Sequence, residues 1–114
     1  MSEKPYDAAA PQPTPTGDGI DVAVVAAERL KAMGLNDIAE DIEARIRLGE
    51  RKYGTRLKAF NGRDAAMDLY QEVLDGINYA QQCDIENKPL QGVFEALVGL
   101  AVEVQKACKQ STSV

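Results

Sequence analysis

The chain has 114 residues and 45% hydrophobic content, which supports one domain at most and one modest core, with oligomerisation as its supplement. A net charge of −5 and a pI near 4.7 exclude a binder of nucleic-acid backbone, which needs a basic face. The absence of histidine removes the commonest zinc ligand and the commonest general base.

Residues 1–19 hold four of the five prolines and read as a flexible or polyproline-like arm, too poor in apolar surface to offset its own ordering. The first helix is expected over Ile20–Met33, with Ile20, Val24, Ala27 and Leu30 in register and Gly34 as its stop. The second is expected over Asn36–Tyr53, burying Leu35, Ile38, Ile42 and Ile46, with Glu40, Glu43, Arg47 and Glu50 on the flank and Gly54 as its end. A loop follows, with Arg56 and Lys58 beside the apolar Leu57 and Phe60. Asn61-Gly62 is a turn signal, and Asn61 with Asp64 has the spacing of a capping-box-like helix start. The third helix then runs to Cys83 or Asn87, where Asn87-Lys88-Pro89 breaks it. Ala66, Leu69, Tyr70, Val73, Ile77 and Ala80 form its apolar face, while Asp68, Glu72, Asp75 and Tyr79 share another. The fourth helix, Leu90–Cys108, has a broad apolar surface that points to a subunit interface, and 109–114 is a polar tail. No strand signal and no repeat is present, so the expected fold is all-α, a four-helix bundle of residues 20–108. No stretch can span a membrane or serve as a signal peptide, and Cys83 and Cys108, without CxxC spacing, fit buried roles in a reduced, cytoplasmic setting.

Three carboxylates on one helix face repel unless a cation sits among them. Glu40-x-x-Glu43 and Glu72-x-x-Asp75 each place two acids on one turn. If those helices pack side by side, the four form an oxygen-only set suited to a hard cation, Mg²⁺ or Mn²⁺. Periodicity alone also fits an ordinary solvated face, since Glu72 and Asp75 lie nearly opposite the apolar face of their own helix.

The two acidic pairs resemble the motif of the MazG-like, all-α nucleoside triphosphate pyrophosphohydrolases, EExxE followed at a distance by ExxD. Ala39-Glu40-Asp41-Ile42-Glu43 stands at the first half and Glu72-Val73-Leu74-Asp75 at the second, with Ala39 where the family has its first glutamate. The segment from Lys52 to Gln82 is also similar to small phage-encoded members, some of which act on dGTP and dATP. The resemblance covers roughly 20–108 and implies hydrolysis of a nucleoside triphosphate to monophosphate and pyrophosphate by metal-activated water. It implies Glu40, Glu43, Glu72 and Asp75 as ligands of Mg²⁺, one of them doubling as proton acceptor. A strongly anionic substrate also needs cations, for which Lys52, Arg56, Lys58 and Arg63 are the candidates. Tyr53, Phe60 and Tyr79 are candidates to stack on a base, and Asn61 and Asn78 to read its edge. A dimer or tetramer is expected, its site closed by a neighbouring subunit. The alternatives are a non-catalytic interaction module, its acids serving solubility and its apolar fourth helix binding a partner, and a nucleotide-binding regulator without turnover.

Overall fold

The structure is a computed structural model describing residues 6–16, 19–88 and 90–112. Parts of the expected arm (1–5, 17 and 18), Pro89 of the expected break and residues 113–114 of the tail lie outside the described residues. The described residues form four helices and no strand: α1 (Val22–Ala32), α2 (Asn36–Tyr53), α3 (Ala65–Ile85) and α4 (Val93–Thr112). Helix α2 has the expected bounds. None of these helices is long and apolar enough to cross a membrane. The chain divides into two compact units, Pro13–Arg63 in one, and Met1–Gln12 with Asp64–Val114 in the other.

The first unit is the α1–α2 hairpin. Asp21 caps α1, its side chain accepting the Val24 amide at 3.2 Å, so α1 begins at Val22 and leaves Gly19 and Ile20 outside. Gly34 (φ +79°) turns the chain after α1, with its amide donating to the Lys31 carbonyl at 2.9 Å and that of Leu35 to the Leu30 carbonyl at 2.8 Å. Gly54 (φ +81°) ends α2, its amide donating to Glu50 at 2.8 Å. The buried side chains of this pair are small: Ala23, Ala27 and Ala39. Ala39 has no exposed surface at all, which accounts for alanine at this position where a glutamate would be a buried carboxylate.

The second unit is the α3–α4 hairpin with residues 6–12 laid against it. Asp64, not Asn61, caps α3, accepting the Met67 amide at 3.1 Å. Met67, Tyr70 and Cys108 form the buried centre, with Leu74, Ala101 and Val104 around it and Tyr6 and Ala8 added by the N-terminal segment. The side-chain amide of Gln71 donates to the carbonyls of Ala8 (2.9 Å) and Ala10 (3.2 Å), and that of Gln105 donates to the Tyr70 hydroxyl at 3.1 Å. Burial pushes the Cys108 thiol up, as fits a packing role. Asn87, at φ +62°, closes α3, and Gly92, at φ +75°, delays α4 to Val93. With no glycine or proline beyond Cys108, α4 continues to Thr112 through the first part of the expected tail.

The small-residue contact leaves no room to grow. Ala39→Leu should cost about 1–3 kcal/mol of stability, read as a lower urea midpoint at unchanged slope.

Candidate functional site

The candidate site lies in the unit Pro13–Arg63 and is shaped by a tie between the start of α1 and the segment after α2. Asp21 and Lys58 form an isolated antiparallel bridge. Its hydrogen bonds run from the Val22 amide to the Leu57 carbonyl (3.1 Å) and from the Ala59 amide to the Ile20 carbonyl (2.7 Å). Glycine is required at 19, because a Cβ there would collide with the Ala59 carbonyl oxygen.

Side chains reinforce the tie. Arg56 Nε donates to Asp21 Oδ2 at 2.6 Å, and its Nη2 donates to Asp21 Oδ1 and Glu43 Oε2, both at 3.4 Å. Lys58 Nζ stands 3.6 Å from Asp21 Oδ2, and Arg47 Nη1 stands 3.8 Å from Glu43 Oε2. Asp21, Glu43, Arg56 and Lys58 are all half-buried, so water screens them less than a surface pair. The Arg56 hydrogen bond, helped by the Val24 amide and the charges of Arg56 and Lys58, holds the Asp21 carboxyl at about 2 against an ordinary 3.8. The same bond raises the Arg56 pKa.

This arrangement borders a cavity of about 510 Å³. Arg45, Ile46, Gly49 and Tyr53 line it from one face of α2, and Thr55, Arg56, Leu57, Asn61 and Arg63 from the following segment. Thr14 and Pro15 complete the wall. They are held there because the Thr16 amide donates to the Asn61 carbonyl at 2.9 Å and Arg63 Nη1 donates to the Pro13 carbonyl at 2.9 Å. Asn61 is buried, with 8% of its surface exposed, and its Oδ1 accepts the Arg63 backbone amide at 3.1 Å. Beside it, Phe60 takes the left-handed backbone (φ +56°) and is 90% exposed.

The residues singled out by sequence therefore separate. Arg56, Asn61 and Arg63 share the cavity with Tyr53. Lys58 faces Asp21, and the exposed Lys52 sits 5.5 Å from the Tyr53 ring. Glu40 is exposed on α2, while Glu43 is engaged by Arg56 and Arg47. Glu72, Asp75, Asn78 and Tyr79 are exposed on α3, in the other unit. Two participants escape sequence patterning. Asp21 reads there only as part of a helix start, although an acid just before an apolar helical run is a capping signal. Arg45 lies four residues before Gly49 and eight before Tyr53, on the face that meets the cavity.

The donors suit a hard cation in kind, being carboxylates only. Glu40, Glu72 and Asp75 make no ion pair among the described residues, whereas Glu43 would have to exchange guanidinium partners for a metal. Neither unit by itself gathers three or more acidic or thiol groups that could hold an ion among its described residues. Comparison with family models, curated proteins and solved structures gives no match.

The depressed Asp21 pKa fixes the sign of a pH effect. Its ion pairs stabilise the fold fully above the ordinary value of 3.8, and that contribution is lost as pH falls from there towards about 2. The stability difference between wild type and Asp21→Asn should be constant near neutrality and vanish across that acid window, measured by denaturant titration at stepped pH.

Proposed function

We propose that this protein hydrolyses a nucleoside triphosphate, with a purine deoxynucleotide favoured, to the monophosphate and pyrophosphate. The observation that carries the reading is the cavity of the unit Pro13–Arg63, where Arg45, Arg56, Arg63, Tyr53 and Asn61 surround one space. Guanidinium groups match phosphate oxygens in charge and fork geometry. Apolar walls with a few fixed polar groups suit a base. Helix α2, which supplies four of the eleven lining residues, also bears Glu40 and Glu43. The resemblance of the acidic pairs to the MazG-like motif supplies the reaction type.

In this reading Arg56 is a preorganised donor, since Asp21 and Glu43 fix its guanidinium before any ligand arrives. Arg45 is exposed and makes no hydrogen bond or ion pair among the described residues, so it can meet a phosphate without giving up a partner. Lys52 and Lys58 add positive charge to the same segment. Glu40, Glu43, Glu72 and Asp75 are the donors for Mg²⁺, with Mn²⁺ as a substitute, and the ion would neutralise phosphate charge and acidify the attacking water. One carboxylate takes the proton of the water that attacks the α-phosphorus, and pyrophosphate leaves as the bond to it breaks. Assembly into a dimer or tetramer is supported by apolar side chains left exposed at the end of α1 (Met33, 68%) and on α4 (Leu100, 53%).

The engagement of Glu43 by two arginines, with those same exposed apolar residues, favours a second reading: an interaction module whose acids only solubilise it. Pyrophosphate and orthophosphate release from each common dNTP and NTP, with Mg²⁺ or Mn²⁺, separates the two. Pyrophosphate from one or a few substrates is expected, lost in Glu40→Ala and Asp75→Ala. Arg45→Ala should lower kcat/KM roughly 10- to 100-fold, the worth of a charged hydrogen bond. Orthophosphate would mean attack at another phosphorus. No turnover, with no metal-dependent rise in melting temperature, would leave the interaction module.

A further inference from the structure

The buried carboxamide of Asn61 deepens the proposed function by setting which base the cavity accepts, and it rests on that reading. A backbone N–H can only donate, so the group that receives the Arg63 amide at 3.1 Å must be the oxygen of Asn61. That assignment turns the NH₂ the other way. The NH₂ makes no hydrogen bond among the described residues. It is not sealed in protein either, because no fully buried side-chain nitrogen or oxygen among those residues lacks a partner. Asn61 is more than nine-tenths buried and is among the residues that line the cavity.

With its NH₂ turned to the cavity, Asn61 would supply a neutral donor of fixed orientation, among walls that include Ile46, Leu57 and Pro15 beside the hydroxyl-bearing Thr14, Tyr53 and Thr55. We infer that Asn61 selects a base with a carbonyl acceptor on its edge, a 6-oxopurine such as guanine or hypoxanthine, over adenine. A carbonyl oxygen accepts from the fixed NH₂. An exocyclic amino group in its place meets it donor to donor, leaving both without a partner where the bound base displaces water. The 4-oxopyrimidines, uracil and thymine, present the same carbonyl, and cytosine the same conflict as adenine.

Binding of non-hydrolysable α,β-imido triphosphates, measured by calorimetry on the full chain with Mg²⁺, tests this apart from turnover. The matched pairs are hypoxanthine against unsubstituted purine, hypoxanthine against adenine, and uracil against cytosine. The oxo member should bind roughly 10- to 100-fold more tightly in the pair that fits, and the pair showing it tells purine from pyrimidine. Asn61→Asp keeps an oxygen for the Arg63 amide, hence the turn and the melting temperature. It replaces the donor by an acceptor, so preference should move to the amino base. Equal affinity within every pair in the wild type, an amino preference there, or an unmoved preference in a stably folded Asn61→Asp would overturn the inference. Turnover without base discrimination would overturn it while leaving the hydrolase standing. No binding of any nucleotide by the wild type would overturn both.

Discussion

The unit Pro13–Arg63, whose buried apolar side chains are three alanines, is tied together by the contact between Asp21 and Arg56. One carboxylate caps α1, receives the guanidinium across a sequence separation of 35 residues and faces Lys58. Half-buried charges lose hydration, and only well-made partner bonds compensate that loss. Here the compensation is geometric: two guanidinium nitrogens meet the two carboxylate oxygens while a backbone amide takes the remaining direction. Removing Asp21 would leave Arg56 to Glu43 alone, and removing Arg56 would leave Asp21 to Lys58 alone, so either loss weakens the tie to the segment that lines the cavity.

The same contact organises the site electrostatically. Arg56 lies between an acid that holds it in place, Asp21, and one that also has catalytic candidacy, Glu43. A cation approaching Glu43 would compete with Arg56 and Arg47, and a phosphate approaching Arg56 would compete with Glu43. On the proposed function, a metal-bound triphosphate would satisfy both groups at once. The structure therefore contains internal counter-charges on Arg56 and Glu43, which keep a dense set of charges neutralised.

Legibility in the sequence followed the range of the interactions. Helix α2 was bounded correctly because its ends are set locally, by Gly34 before it and Gly54 after it. The starts of α1 and α3 lie later than expected because a nearby acid supplies the cap at each. Asp21 displaced Ile20 at α1 once Gly19 and Ile20 paired with the segment at Ala59, and Asp64 displaced Asn61 once the Asn61 oxygen was taken by the Arg63 amide. At the site, Arg56, Asn61 and Arg63 could be nominated because they are polar residues at a helix break. The Asp21–Arg56–Glu43 cluster could not, since it has no periodicity and joins three separate elements. Arg45 was hidden for another reason: within a run of alternating charges on α2, its sign and spacing match those of any solvated arginine.

The division of the chain has a consequence for its biosynthesis. The unit Pro13–Arg63 is contiguous and interrupts the other, whose pieces lie on both sides of it. All the side chains that build the Asp21–Arg56 tie have been made by the time the ribosome reaches Arg63, so that unit can close while the rest is still being synthesised. Tyr6 and Ala8 must wait. The hydrogen bond from Gln71 to Ala8 spans 63 residues, and Cys108 of the same core is made later still, on α4. The N-terminal segment thus leaves the ribosome before the helices it packs on and completes its packing only when α4 has emerged, an order that makes docking of α3 and α4 around it a late, slow step of folding.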